Sequence, residues 1–367
     1  VADGRLRIGV DGRELVGHVT GVGRYIGEVL KQWVADVTFP HSLVVFLPEP
    51  AAPELAAHLG DRVTWSVTGR NRGTVWEQWD LPRAARAADI DVFFAGAYTA
   101  PLRLHCPFVL VIHDVSYFAH PEWFSAREGM RRRWLTRASA RRAHTVLTVS
   151  SFSADETASR LGLERARIRV AYGGAPALRS DMGTPRGSTV LYVGSLFNRR
   201  LVPEVIEAFA RVTAVVPDAQ LVLVGENRTH PHVDPHAVAA SHGISDRVDW
   251  RNYVSDEELD RLYASARVFV FLSTYEGFAL TPFEAIARGV PPVLLDTPVS
   301  REIYGDAACL VPRDRDAIAA ALVSLLVDEH AHGTLTATGR RRLAEFTWAR
   351  TAATVRTALE SAGGVSR

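Results

Sequence analysis

Glu276 and Glu284 stand eight residues apart, two carboxylates able to grip two hydroxyl-bearing parts of one ligand. That spacing alone carries little, because helices are rich in glutamate; the frame around it carries more. An apolar strand from Val268 to Leu272 runs into the polar turn Ser273-Thr274-Tyr275, then Glu276 and Gly277. A helix follows, with Pro282 near its first turn and Gly289 past its end, and an apolar strand from Pro292 to Leu295 closes the passage. This βαβ-like unit sets Glu276 at the carboxyl end of a parallel strand, where open α/β sheets bind ligands. Gly277 allows close approach of backbone to a ligand. The amides of Gly277, Phe278, Ala279 and Leu280 precede the helix, where unpaired N–H groups suit anionic or hydroxyl-rich groups. Glu284 falls about one turn into that helix.

These residues need a scaffold, and the pattern along the chain supplies it in two runs. The first opens with a strand from Leu6 to Val10, a long glycine-rich loop and a helix from about Gly23 to Trp33. Further strands are predicted at Leu43–Leu47, Val63–Val67, Asp91–Phe94, Phe108–Ile112 and Thr145–Val149. A stretch rich in Gly, Pro and Ser then reads as a linker, placed at residues 176–187. The second run holds strands at Thr189–Val193, Leu221–Val224 and Arg247–Trp250 and a helix near Pro203–Val215, before the passage described above. Strands alternating with helices predict parallel sheets covered on both faces. The chain has 367 residues and 40.2 kDa, which favours two such domains, each with its own core. Residues 1–175 form the first, completed by a C-terminal helix at about 348–367, and residues 188–347 form the second.

Composition narrows the function classes. Apolar content of 47% and charge of 23% are ordinary for a soluble α/β protein. A net charge of +1 gives no global case for nucleic acid. Cys106 and Cys309 lie far apart, outside any Cys-x-x-Cys motif, which argues against a disulfide framework and for a reducing, cytoplasmic compartment. No 18-residue apolar run or signal-peptide pattern is present. Lys31 is the single lysine, so a pyridoxal-phosphate Schiff base would have to use a residue on the first amphipathic helix, far from the strand ends.

The run Glu276-Gly277-Phe278-Ala279-Leu280-Thr281-Pro282-Phe283-Glu284-Ala285 resembles the retaining glycosyltransferases of family 4, in their mannosyltransferase-like branch. Ala279 stands where glycine is usual. The resemblance implies a GT-B fold, two Rossmann-like doubly wound domains with a cleft between them. It implies that Glu276 contacts the transferred sugar and Glu284 the ribose of a nucleotide sugar. Val193-Gly194-Ser195-Leu196-Phe197-Asn198-Arg199-Arg200 resembles the family's diphosphate-binding turn, with Arg200 at a position where lysine is usual. Two cations at a helix start stabilise the charge that builds on a leaving nucleotide. His113-Asp114, after the strand Phe108–Ile112, matches the histidine that reaches the donor sugar. Tyr253 and Val254 match a turn that contacts the nucleobase, with Asn252 in place of the usual glycine. The start, Val10-Asp11-Gly12-Arg13 through Gly21, Gly23 and Tyr25, looks like the family's first strand and glycine loop. Gly21, Gly23 and Gly27 also approach a dinucleotide fingerprint, but roughly ten residues separate them from their strand, whereas a Rossmann fingerprint follows directly. Ser150-Ser151-Phe152-Ser153 reads as helix capping rather than nucleophilic catalysis.

The resemblance implies transfer of a hexose or deoxyhexose from a GDP-, dTDP- or UDP-linked sugar to a saccharide, lipid-linked or small-molecule acceptor, with no metal or other cofactor required. Two readings compete: a glycoside hydrolase using Glu276 and Glu284 as its carboxylate pair, and a catalytically silent GT-B binding subunit. Two clusters stand apart. His230, His232, Asp234 and His236 have metal-ligand residue types, although Asp234 as N-cap and Pro235 as first helical residue explain half of the run. The segment Arg127–Arg142 carries Arg131, Arg132, Arg133, Arg137, Arg141 and Arg142 around Trp134. It reads either as a solvated helix face or as a basic surface for peripheral contact at the inner face of a membrane.

Overall fold

The computed structural model describes residues 4–17, 19–69, 71–178 and 187–365. Residues 179–186, most of the linker expected from sequence, lie outside the described residues. The chain divides into two compact units, Val1–Gly174 with Thr347–Arg367, and Ala175–Phe346.

The first unit is built on seven strands: β1 (Arg7–Asp11), β2 (Ser42–Leu47), β3 (Val63–Val67), β4 (Val92–Ala95), β5 (Phe108–Ile112), β6 (Thr145–Thr148) and β7 (Ile168–Val170). Their order is β3-β2-β1-β4-β5-β6-β7 and every neighbouring pair is parallel. Ile8 faces Leu43 on one side and Val92 on the other, so the chain reverses its direction of travel across the sheet between β1 and β4. The central strands read as unbroken apolar runs, FVLVI in β5 and VFFA in β4, because helices cover both faces. On one face Trp76, Leu81, Ala140 and Leu161 pack over Phe93, Leu110 and Ile112. The helices Gly21–Ala35 and Trp348–Ala362 are joined to each other where the Trp33 indole N–H donates to the Ala352 carbonyl at 3.0 Å. Each large apolar side chain so buried contributes roughly 1.5–3 kcal/mol.

The second unit has six parallel strands: β8 (Thr189–Val193), β9 (Gln220–Val224), β10 (Val248–Arg251), β11 (Val268–Phe271), β12 (Pro292–Leu295) and β13 (Cys309–Val311). The order is β10-β9-β8-β11-β12-β13, with Val190 facing both Leu221 and Val268. Here the reversal falls between β8 and β11. Both sheets are therefore of the doubly wound, Rossmann-like type expected of GT-B proteins.

Strand positions follow the sequence reading closely, with two additions. β7 and β13 are three residues each, too short to show a period, and β7 is broken by Arg169. The first helix also differs. It begins at Gly21, so Gly21 and Gly23 lie in its first turn rather than in a free loop. A Cβ on Gly23 would sit 2.0 Å from the Glu14 carbonyl oxygen, so close packing of the helix on the preceding turn already requires glycine there. Ser150 caps the Ser151–Leu161 helix as its sequence suggests, its hydroxyl accepting the Ser153 N–H at 3.0 Å.

Candidate active site

In the second unit the strands β8 and β11 are hydrogen-bonded neighbours, and the turns leaving their carboxyl ends meet at the point of reversal. Ligands of doubly wound sheets bind in the crevice such a reversal opens. The turn after β8 forms a short 3₁₀ segment, Asn198–Arg200, followed by Leu201 in the left-handed region (φ 49°) and the helix Val202–Val215. Arg199 and Arg200 thus precede the helix rather than opening it. The turn after β11 carries Glu276. The two turns are stitched together by the Thr274 N–H and hydroxyl, both donating to the Arg199 carbonyl, at 2.8 and 3.2 Å.

Side chains complete the junction. Arg200 Nε donates to Glu276 Oε1 at 3.0 Å, and Arg199 Nη2 lies 3.3 Å from the same oxygen. The Ser273 hydroxyl donates to Glu276 Oε1 at 3.0 Å. Arg199 Nε donates to the Tyr275 carbonyl at 3.0 Å and Arg200 Nη1 to the Ser195 carbonyl at 2.9 Å. The Arg200 guanidinium also lies over the rings of Phe271 and Phe197, 4.9 and 5.5 Å from their centroids. All three charged side chains are largely buried, Glu276 being 13% exposed. Burial by itself would raise the Glu276 pKa; the two guanidiniums and the Ser273 hydroxyl outweigh it and hold the carboxyl below the usual carboxylate range. Burial likewise opposes the charge on Arg200, and Glu276 reverses that effect. The junction is a preformed, ionised cluster of two cations and one anion.

Glycine is required beside it. Gly194 has φ 145°, and a Cβ there would lie 2.8 Å from Arg200 Nη1, so any side chain would displace the guanidinium. Ala279 adopts φ 62°, which explains why its position favours glycine. Its carbonyl accepts the Tyr304 hydroxyl, which lies 3.4 Å from the Phe278 carbonyl as well. This holds the Gly277–Leu280 segment in front of the helix Thr281–Ala287. Glu284 is the fourth residue of that helix, and its Oε2 accepts the Tyr263 hydroxyl at 3.0 Å. Tyr253 and Val254 occupy the turn after β10, with Tyr253 largely exposed.

His113, Gly21 and Gly23 belong to the first unit. His113 Nε2 donates to the Gly96 carbonyl at 2.8 Å, and its ring stands edge-on to Tyr25 at 5.2 Å and tilted to Tyr98 at 5.4 Å. Burial lowers its pKa, partly offset by Gly96 and Asp114, so the imidazole is neutral at pH 7 with its proton on Nε2. Asp114 does not orient the ring; it accepts the Ser116 N–H and the Tyr98 hydroxyl, closing the turn after β5.

Three groups that the sequence reading assigned no role also emerge. Ser273 and Tyr304 act on the Glu276 loop; the serine, three residues before Glu276, was the only one within reach of local reading. The third is a buried network beyond β1, where Arg13 pairs with Asp11 at 2.6 Å and Glu77 at 2.9 Å, and Thr99 donates to Glu77 at 2.5 Å. Burial, opposed by Arg13, leaves the Asp11 pKa raised to about 6. Sixty-odd residues of chain separate Arg13 from Glu77, so spacing gave no sign of the pair. Among the described residues no three His, Cys, Asp or Glu side chains gather where they could hold a metal ion. In the His230–His236 run, Asp234 instead caps the helix Pro235–Ser241.

Comparison with known proteins bears directly on this geometry. A family model described as "Glycosyl transferases group 1" matches residues 182–342, and one described as "Glycosyltransferase Family 4" matches residues 19–177. The chain is 28% identical over 268 residues to the O-antigen chain mannosyltransferase B of Escherichia coli, covering 65% of this chain and 66% of that protein. It is 32% identical over 239 residues to the MMP alpha-(1->4)-mannosyltransferase of Mycolicibacterium hassiacum (62% and 57% covered). It is 30% identical over 251 residues to the GDP-mannose:cellobiosyl-diphosphopolyprenol alpha-mannosyltransferase of Xanthomonas oryzae (65% and 64%). The chain therefore spans less than two thirds of the length of each of these three relatives. Among solved structures, Anabaena HepE in complex with UDP and glucose superposes with a TM-score of 0.76 at 18% identity, covering 97% of this chain and 100% of that one. Sucrose-phosphate synthase from Thermosynechococcus elongatus superposes at 0.74 and 20% identity, covering 96% and 98%. At these identities the structural matches establish the fold.

Proposed function

Since the chain belongs to the family 4 glycosyltransferases, in their mannosyltransferase-like part, we propose that it is a retaining transferase acting on a nucleotide-diphosphate sugar. It moves a hexose or deoxyhexose to a hydroxyl of a saccharide, lipid-linked or small-molecule acceptor. The observation that carries this reading is the convergence of Arg199, Arg200 and Glu276 at the point of reversal of the second sheet.

In this reading the second unit binds the donor. Arg199 and Arg200 take the diphosphate, Glu284 the ribose, the turn at Tyr253 and Val254 the base, and Glu276 the sugar hydroxyls. The amides from Gly277 to Leu280, with Gly194 keeping the opposite wall clear, line the same place. The bond from the anomeric carbon to the diphosphate oxygen breaks, and the bond to the acceptor oxygen forms on the same face. The acceptor proton passes to the departing phosphate. The two guanidiniums supply the charge neutralisation this step needs, and their contact tightens as the leaving group charges. No metal or cofactor has a role in it. In this reading the first unit carries the acceptor side, with Gly21 and Gly23 at a helix start and neutral His113 at the end of β5.

Two arginines hold Glu276 ionised, which excludes it as a glycosidase's general acid but not as its nucleophile. What favours transfer is the arginine pair itself, Arg199 and Arg200 on Glu276, for which a hydrolase has no use. Thermal shift against UDP, GDP, dTDP and ADP tests the proposal. A ligand at a hundred times its dissociation constant stabilises by about 2.7 kcal/mol, and one base should stand out. Negligible shifts for all four would sink the transferase reading.

A further inference from the structure

The helix Asp256–Ser265 directly follows the turn at Tyr253 and Val254, with Ser255 as its N-cap; the Ser255 hydroxyl accepts the Glu258 N–H at 3.2 Å. Its start is tied back to β10, because Arg251 donates to Glu258 and, at 2.7 Å, to Asp249. Along its ten residues the helix buries one side chain fully, Tyr263. A residue that only anchored the helix in the core could be leucine or phenylalanine. Tyr263 brings a hydroxyl to that place, and a buried hydroxyl costs free energy unless it finds a partner. The partner is Glu284 Oε2, at 3.0 Å, on the helix Thr281–Ala287.

The tyrosine is itself clamped. Its ring stacks on Phe269 of β11, the centroids 6.1 Å apart. The Arg288 guanidinium lies over the same ring at 4.6 Å from its centroid. Arg288 donates in turn to the Asp260 carboxylate, about one turn back on the tyrosine's helix, and at 3.1 Å to the Glu284 carbonyl. Tyr263 and Arg288 therefore hold Glu284 by side chain and main chain at once. One helix carries the turn at Tyr253 and Val254 before its start and Tyr263 two turns on, so the same bracket sets where Glu284 stands relative to that turn. A carboxylate ordered before its ligand arrives loses less side-chain freedom on binding. It also rejects ligands that lack the hydroxyl it was set to meet.

We propose that Tyr263 is a positioning residue of the donor site: it orients the Glu284 carboxylate for the ribose hydroxyls and so sets a preference for a ribonucleotide. The inference rests on the assignment of Glu284 to the ribose and adds the group that makes that carboxylate selective.

Calorimetric titration of the full chain with GDP and UDP, each beside its 2′,3′-dideoxy analogue, tests it. The wild type is expected to prefer the ribonucleotide roughly tenfold or more, the worth of a hydrogen bond to a charged group. Tyr263→Phe keeps the ring and should melt near the wild type. It should bind the ribonucleotide about fivefold more weakly, one hydrogen bond's worth of order, and the dideoxy analogue as before. Asp260→Ala, at the half-buried margin of the bracket, removes one anchor of Arg288 and should shrink the preference about twofold. Equal losses of both ligands in Tyr263→Phe would make the tyrosine purely structural and overturn the proposal. So would an undiminished preference in Tyr263→Phe, or in Asp260→Ala should the phenylalanine variant melt early. An undiminished preference in Glu284→Ala would overturn the ribose assignment itself, and the inference with it.

Discussion

Arg200 Nε and Glu276 Oε1 lie 3.0 Å apart although 76 residues separate them in the chain. They meet because β8 and β11 are adjacent where the sheet reverses, and each residue stands on the turn that leaves one of those strands. Arg199 and Ser273 converge on the same carboxylate oxygen. The cluster's geometry sets most of what can be tested.

Glu276 and Glu284 should separate cleanly. Glu276→Gln is expected to abolish most transfer while nucleotide diphosphate still binds, because its carboxylate addresses the sugar. Glu284→Ala should weaken the free nucleotide by about 1.5–3 kcal/mol, the range for a hydrogen bond to a charged group. Calorimetry with the nucleotide alone distinguishes them. Equal losses in both variants would show the two roles are misassigned.

For Arg199 and Arg200 the readout is turnover at saturating donor. Alanine at either position should depress kcat strongly, since only contacts tighter in the transition state raise the rate. Arg200→Lys should recover part of the loss: it keeps the charge, but not the simultaneous contacts to Glu276 and the Ser195 carbonyl. Removing either cation leaves Glu276 partly uncompensated in a buried place, so a melting curve must accompany each rate. Near-wild-type kcat in both alanine variants would make the pair a structural salt bridge only.

Ala279 offers a stability test. Left-handed backbone costs an L-residue roughly 1–2 kcal/mol, while glycine returns about 0.5–1 kcal/mol through its freer unfolded chain. Ala279→Gly is therefore expected to stabilise by about 0.5–1 kcal/mol, read as a higher denaturation midpoint. A lower midpoint would mean that the φ of 62° is not the conformation in solution.

Acid should loosen the first unit through His41. Its Nδ1 accepts the Leu6 N–H at 3.1 Å, and its Nε2 donates to Glu360 Oε1, also at 3.1 Å, tying β1 to the C-terminal helix. Arg356 donates to the same oxygen at 2.7 Å, and Phe39 stands edge-on to the ring. Burial lowers the His41 pKa more than Glu360 raises it. A depressed histidine binds its proton more weakly in the folded state, so its contribution is complete above the ordinary value of 6.5 and is lost as pH falls below it. His113, lowered for the same reason, adds to the slope. The histidine contribution to the free energy of unfolding should fall between pH 7 and 5, by at most about 1.4 kcal/mol per pH unit for each, against the opposite contribution of Asp11, whose pKa is raised to about 6. In His41→Gln the slope should be shallower; an identical slope would remove His41 from the account.

Much of this protein was legible in its order of residues. Thr189–Val193 and Pro292–Leu295 appear as strands with the bounds that their apolar runs suggest, and Ser150 and Asp234 cap the helices they precede. The passage from Glu276 to Ala285, set between two apolar strands, carried most of the resemblance to the family. These are short-range matters: an apolar run, a capping oxygen and a proline in a first turn act within a few residues, so the sequence records them directly. The tertiary structure decided the rest. Whether Arg199 and Arg200 were surface charges or partners of Glu276 depended on which strands adjoin, and Glu77, 64 residues from Arg13, reached it only through the packing of its helical segment beside the end of β1. It also decided which of eight tryptophans remain outside, since the π turn at Trp76–Asp80 rotates Trp79 out of a core that its spacing alone would allow it to enter. Strand order and burial are sums over many distant contacts, and no local spacing encodes such a sum.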